Sequence, residues 1–170
     1  MAENALADDL SYEQVADMLY LVISADRAVY TQKVVQRLTV DEEVITASEY
    51  FDDDAALPLP AQMFRFGSEY VADSTEEFSY SLISLDPINK KNGPATDLER
   101  EGLEFVAANP DETFYGEEQL GGESYFAAMY ADIAVAQACA ACHNNHQDSP
   151  RSDIEVGDVM GGVVIRIPVD

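Results

Sequence analysis

All cysteine and histidine side chains of this 170-residue chain lie within one short stretch, ACAACHNNH at residues 138–146. Cys139 and Cys142 are separated by two alanines, and His143 follows directly. This is a C-x-x-C-H pattern, in which two thiols can each form a thioether with one porphyrin while the adjacent imidazole ligates its iron. The spacing therefore predicts one covalently attached haem c, bound through Cys139 and Cys142, with His143 as the proximal iron ligand.

Three other interpretations of this stretch explain its spacing less well. Zinc needs four ligands, and Cys139, Cys142, His143 and His146 lack the loop of roughly a dozen or more residues that separates ligand pairs in zinc sites. A thioredoxin-like redox pair normally follows a strand in a βαβ unit, which the sequence does not indicate. A structural disulfide would close a very small loop and stabilise the fold little. A zinc or thiol protein therefore stays only as an alternative.

The sequence leaves the other axial position of the iron open. His146 lies only three residues beyond His143, which favours a polar position beside the haem, with iron ligation as the alternative. The methionine thioethers are further candidates: Met18, Met63, Met129 and Met160. Met63 and Met18 are the leading choices, although any methionine can equally fill the core. Water, a small gaseous ligand or an open position would suit sensing, whereas two strong ligands favour electron transfer.

The hydrophobic pattern indicates an α+β fold in a single domain spanning residues 1–170. Ser11 and Gln14 form a capping box, and apolar residues then recur at helical spacing, which predicts a long N-terminal helix over 11–38. At about 1.5 Å per residue such a helix would reach roughly 42 Å, so it must kink, project or pack lengthwise on another surface. The haem-binding core would then occupy residues 39–170.

The remaining sequence predicts shorter helices and an antiparallel sheet. A second capping box at Thr39 predicts a short helix over 39–50, followed by an acidic loop over 52–54. Further helices are expected over 60–71 and 96–108, and strands over 78–83, 113–117, 124–130 and 159–167. Three glycines near the last strand are expected to permit a bulge or a close backbone approach: Gly157, Gly161 and Gly162.

The composition bears on the partners of the chain. Acidic residues outnumber basic ones 33 to 9, and the formal net charge is −24. This charge repels phosphate backbones and anionic lipid, so neither nucleic acid nor a membrane surface is an expected partner. No apolar run approaches the roughly 18 residues of a membrane span, and the first ten residues show no export signal. A basic redox partner protein fits the charge better.

Five segments together resemble a known bacterial family: YTQKVVQRL over 30–38, LPLPAQMF over 57–64, SLISLDPINKKNGP from Ser81, YFAAMYADIAVAQACAACHNNHQDSP up to Pro150, and GDVMGGVVIRIP from Gly157. The chain is similar to the bacterial haem-c domain with a PAS-like fold, whose function is unknown. That domain occurs as stand-alone exported cytochromes and as the extracytoplasmic sensor part of adenylate cyclases, histidine kinases and chemoreceptors. The resemblance covers nearly the whole chain from about residue 11.

The resemblance implies a PAS-like antiparallel sheet flanked by helices, with haem held by Cys139, Cys142 and His143. It also implies a periplasmic or otherwise extracytoplasmic location, where haem c is attached. Some relatives take a second axial ligand from a cysteine in the N-terminal helical region, but this chain has no third cysteine. The expected function is redox or ligand sensing, or electron transfer. No distal acid–base pair is evident, so peroxidase-like catalysis is an alternative rather than the favoured function; the oligomeric state is left open.

Overall fold

The computed structural model describes residues 10–169, so the amino-terminal stretch in which no export signal is expected lies largely outside it. The helices are α1 (Tyr12–Val29), α2 (Phe51–Asp54), α3 (Pro60–Ser74), α4 (Asp97–Ala108) and α5 (Gln137–Asn145). The strands are β1 (Ala47–Ser48), β2 (Leu57–Pro58), β3 (Ser79–Ile83), β4 (Phe114–Leu120), β5 (Glu123–Ile133) and β6 (Val159–Val169). A π-helical segment (Tyr30–Asp41) continues α1, and a short 3₁₀ turn covers Lys90–Asn92. The predicted α+β class is confirmed.

The long N-terminal helix is also confirmed, and it extends beyond its predicted end. Its first turn is closed by the capping box: the Gln14 N–H donates to Ser11 Oγ at 3.2 Å, and the Ser11 N–H donates to Gln14 Oε1 at 2.9 Å. At Tyr30 the helix changes from α to π geometry and continues to Asp41. Since π-helical turns are rare and occur frequently at functional sites, this segment is a marked feature of the fold.

The predicted short helix over 39–50 is wrong. Thr39 lies inside the π segment instead of starting a new helix, because no glycine or proline ends the preceding helix before it. The chain then forms β1, which pairs with β2 in a small parallel ladder. The acidic stretch 52–54, expected as a loop, belongs to α2, which is terminated by Ala55 in the left-handed conformation (φ 49°).

The main sheet has four antiparallel strands in the order β3-β6-β5-β4, with helices on both faces. Its strands confirm the predicted ones, with β4 and β5 joined by the tight turn at Gly121 and Gly122. One face packs against α1 and α3, and its buried members are Phe126, Ala128, Tyr130, Val163, Ile165 and Ile167. The other face packs against Leu103 and Val106 of α4, and its buried members include Ala127, Met129 and Val164.

A bulge between β5 and β6 ends the regular sheet next to the region where α5 begins. The bulge lies at Asp132 and Ile133, opposite Gly161. A Cβ atom at Gly161 would overlap the carbonyl oxygen of Ile83 in β3, so only glycine permits this close approach of two strands. Gly157, just before β6, has a φ of 103°. The predicted close backbone approach is thus found at Gly161, whereas an added Cβ atom at Gly157 would meet nothing within 4 Å and one at Gly162 would meet the side chains of Met129 and Leu103.

Among residues 10–169, no helix combines the length and the apolar character that crossing a bilayer needs.

Candidate functional site

The C-x-x-C-H stretch forms helix α5, an element that the sequence analysis left unassigned. Residues three and four positions apart lie on the same face of a helix, so Cys139, Cys142 and His143 project to one side. All three side chains line a single cavity. Both thiols are free. Helix α5 therefore gathers the two predicted thioether positions and the predicted iron ligand at one wall.

The cavity has a volume of about 890 Å³. This is near the upper end of the roughly 300–1,000 Å³ found for small-molecule and cofactor sites, so the space is large enough for a sizeable cofactor. Its walls come from α5, the π segment, α3 and the edge strand β3 with the loop that follows it. Most of the wall is apolar and includes Val35, Val40, Leu59, Phe64, Leu82, Ile83, Ile88 and Met160.

Hydrogen bonds fix α5 on two sides. The Ala138 N–H, in its first turn, donates to Gln36 Oε1 of the π segment at 2.9 Å. Near the other end, Asn144 Nδ2 donates to the Ile154 carbonyl at 2.8 Å, and the Ile154 N–H donates back to Asn144 Oδ1 at 2.9 Å. The helix is therefore held between the long N-terminal helix and the loop that leads into β6.

Burial determines the protonation of the site. It lowers the pKa of His143 below the ordinary histidine value, an effect that the carboxylate of Asp132 partly offsets. The imidazole is therefore neutral near neutral pH, which is the form that ligates a metal. Burial also raises the pKa of Cys142, so its thiol is protonated and weakly nucleophilic in the absence of a bound group.

His146 lies in the same cavity, but both of its ring nitrogens face protein groups. The Asp148 N–H donates to Nδ1 at 3.1 Å. The other nitrogen, Nε2, lies 3.5 Å from Glu49 Oε1. This arrangement favours the polar position beside the cofactor over a role as iron ligand.

The four methionine candidates occupy very different places. Met18 is 48% exposed on α1, and neither it nor Met63 on α3 borders the cavity. Met129 is buried against α4, on the other face of the sheet. Met160, at the start of β6, does line the cavity. The structure therefore gives no support to Met63 or Met18 as a ligand.

Two cavity residues were missed by sequence reasoning. Arg27 of α1 and Asp132 at the end of β5 form a two-pronged ion pair, in which Arg27 Nη1 meets Asp132 Oδ1 and Nη2 lies 3.1 Å from Oδ2. Their side chains are 15% and 7% exposed, respectively. Asp132 did carry a signal, because it is a charged residue in the otherwise apolar run of β5; Arg27 did not, since an arginine on an amphipathic helix is normally solvated.

The charges around the cavity differ from those of the whole chain. Three of the nine basic residues line it: Arg27, Arg65 and Lys91. Among residues 10–169, three acidic side chains do so, although the chain has 33: Glu49, Asp86 and Asp132. The lining is thus balanced in charge within a protein of net charge −24, and it suits a cofactor that carries its own carboxylates.

The site was expected to hold haem rather than a bare metal ion, and the arrangement of its side chains agrees with this. In the part of the chain that the structure describes, no group of three or more His, Cys, Asp or Glu side chains is placed to hold one. The donor set at α5, two thiols and one adjacent imidazole beside a large apolar cavity, is instead the set that covalent haem requires.

Comparison with known proteins identifies the family. The Tll0287-like family model, described as Tll0287, matches residues 8–168, and the chain belongs to that family. This match confirms the family resemblance inferred from the five sequence segments. Among solved structures, the chain is similar to one described as the crystal structure of the cyanobacterial heme-protein Tll0287, with 14% identity and a TM-score of 0.59. The similarity covers 95% of this chain and 98% of that one, and at this identity it concerns the fold. No curated protein matches the chain.

Proposed function

We propose that the protein binds one haem c covalently and acts outside the cytoplasm as a redox or ligand sensor with a PAS-like fold. One observation carries the proposal: both thiols and the adjacent imidazole of α5 line a single cavity of about 890 Å³. The cofactor is supported further by the fold, which is similar to that of a protein described as a cyanobacterial heme-protein.

The residues of the site have distinct roles in this proposal. When bound, haem supplies an iron that changes oxidation state by one electron and can accept an axial ligand. Cys139 and Cys142 fix its orientation through two thioethers, and His143 presents a neutral imidazole because burial lowers its pKa. The apolar walls exclude water, while Arg65 and Lys91 supply positive charge for its carboxylates.

Sensing is supported by the contact between the site and the long helix. The π segment supplies Val35 and Thr39 to the cavity wall, and its Gln36 accepts the hydrogen bond from Ala138 at the start of α5. A change in charge or ligation within the cavity would therefore act directly on this segment. π-helical turns are rare and occur frequently at functional sites. We therefore propose that the π segment changes its conformation when the oxidation state or the ligation of the iron changes.

Optical spectra and hydrogen exchange test this function together. We expect the reduced protein to bind carbon monoxide, and amide exchange in Tyr30–Asp41 to differ between the oxidised and reduced states. Helix α4, which packs on the other face of the sheet, provides the internal control and should exchange equally in both states. Absence of any ligand exchange, together with identical exchange patterns in the two states, would contradict a sensor.

Electron transfer is the second candidate function, and one observation favours it. The net charge of −24 would steer a basic redox partner towards the protein. The two functions share the same cofactor site. They differ in whether the protein changes conformation with its oxidation state.

A further inference from the structure

We propose that the two charges of the Arg27–Asp132 ion pair act on the reduction potential of the cavity's cofactor in opposite directions, so that each offsets the other. The inference rests on the proposed function, since it concerns the haem held by α5. Arg27 comes from the N-terminal helix, and Asp132 comes from the end of β5. Both side chains line the cavity that contains Cys139 and His143.

The ion pair is well shielded from solvent. Only 15% of the Arg27 side chain and 7% of the Asp132 side chain are exposed. The guanidinium also lies 5.7 Å from the centre of the Phe64 ring, which forms part of the same wall. Within residues 10–169, the Nε of Arg27 is buried and has no hydrogen-bond partner. A buried donor without a partner and two buried charges both cost folding free energy, so a contribution to stability alone does not explain the pair.

The guanidinium of Arg27 keeps its positive charge in this buried position. Burial lowers the pKa of Arg27, but the charge and the hydrogen bond of the facing Asp132 carboxylate raise it, together with smaller contributions from Cys139 and Tyr20. The net pKa is raised, so the guanidinium stays protonated. A charge in a region with little water acts over a longer range than the same charge at the surface, because solvent and salt screen it less. The two charges therefore act on whatever occupies the cavity.

The direction of each effect follows from electrostatics. Oxidised iron carries one more positive charge than reduced iron. The carboxylate of Asp132 stabilises the oxidised state and lowers the potential, whereas the guanidinium of Arg27 destabilises that state and raises the potential. In the intact pair the two effects largely cancel. Removing one charge leaves the effect of the other on the potential uncompensated.

A second buried ionic cluster provides a matched control. Arg166 Nη2 lies 2.7 Å from both Glu99 Oε1 and Glu118 Oε1, and the three side chains are only 13%, 7% and 9% exposed. Arg166 is in β6 and Glu99 is in α4, on the sheet face opposite α1, and none of the three lines the cavity. Breaking this cluster should cost stability in a similar way without altering the field in the cavity.

The test is a redox titration, followed optically, of haem-loaded protein, with all variants measured at one pH and one salt concentration. We expect Asp132→Asn to raise the potential and Arg27→Gln to lower it. The double variant should return close to the wild-type potential, and Arg166→Gln should leave it unchanged. Shifts of both single variants in the same direction, or an equal shift in Arg166→Gln, would overturn the inference.

Two further steps keep the outcome interpretable. If Arg27→Gln does not fold, the reduction potential of Asp132→Asn is compared with that of Glu99→Gln. A higher potential in Asp132→Asn alone supports the inference, and equal potentials in the two variants refute it. Haem staining after denaturing electrophoresis separates the two proposals. Unstained wild-type protein contradicts the proposed function, whereas stained protein with invariant potentials contradicts only the role of the ion pair.

Discussion

At the scale of single residues, burial prepares His143 and Cys142 for different chemistry. The imidazole is held neutral, and it is ready to ligate iron without first losing a proton. The thiol of Cys142 is held protonated, so it does not react indiscriminately before a cofactor is attached.

The protonation of His143 can be measured in protein produced without haem. We expect its pKa to lie below the value of about 6.5 for an unperturbed histidine. Because the unfolded chain then binds the proton more tightly than the folded one, the unfolding free energy falls as the pH drops through that value. Titration of the ring protons by NMR, assigned with His143→Asn, checks this; titration above 6.5 would contradict it.

The methionines provide a second test at this scale. Met63 and Met18 do not border the cavity, so replacing either by leucine should leave the visible spectra of both oxidation states unchanged. Met160→Leu is the comparison, because Met160 does line the cavity. A spectral change in Met63→Leu or Met18→Leu, with haem content unaltered, would show that the protein rearranges to recruit a distant thioether.

At the scale of elements, the site is made by the meeting of α5, the π segment and the end of the sheet. The bulge between Asp132 and Ile133 shifts the register of β5 against β6 at the last residue pairs before β5 ends, on the side of the sheet from which the chain continues to α5. The close approach at Gly161 brings β3 against this end of the sheet. The position of the cavity therefore depends on local irregularities in an otherwise regular sheet.

Gly161→Ala should destabilise the fold by about 1–3 kcal/mol, because the added methyl group overlaps a backbone carbonyl rather than a flexible side chain. Gly93→Ala is the control. A Cβ atom there would make only ordinary contacts, at 3.6 Å from the Lys90 oxygen, and its effect should stay within about 0.5 kcal/mol. Urea unfolding measures both. Equal free energies of unfolding in the two variants would contradict the proposed close approach.

The sequence predicted elements whose signals are local. The capping boxes at Ser11 and Thr96 start α1 and α4 as expected, because cap and partner lie three residues apart. Thr39 carries the same local signal, but it does not start a helix, because the preceding helix continues through it to Asp41. Helix α5 was not predicted, since its alanines, cysteines and asparagines form no clear apolar stripe.

The candidate site was predictable only in part. Its thiols and imidazole are neighbours in the sequence, so their spacing alone indicated the chemistry. The Arg27–Asp132 pair joins residues 105 positions apart. Such a contact depends on how α1 packs across the sheet, and no local pattern encodes that packing.

At the scale of the whole molecule, the charge is distributed unevenly. The chain carries a net charge of −24, while the cavity lining holds equal numbers of basic and acidic residues among those described. The outer surface therefore repels anions, but the cavity does not. This combination allows an acidic protein to hold a group that bears carboxylates and still attract a basic partner.

Small redox reagents of opposite charge test this distribution. We expect a cationic cobalt complex to oxidise the reduced protein faster than an anionic iron cyanide complex of similar driving force. Rising salt should slow the first reaction and accelerate the second, because screening weakens both attraction and repulsion. Stopped-flow spectroscopy measures both rates, and each reagent is the control for the other. Rates that do not respond to salt would contradict electrostatic steering.

The central claim concerns a covalent bond, and intact-mass spectrometry tests it most directly. Protein matured in an oxidising, haem-supplied compartment should have the mass of the polypeptide plus one haem, and proteolysis should place the addition on the peptide that contains Cys139 and Cys142. The double variant Cys139→Ser/Cys142→Ser, prepared in the same way, should have the mass of the bare chain. A wild-type protein with the mass of the bare chain, or with only a disulfide between the two cysteines, would contradict the account.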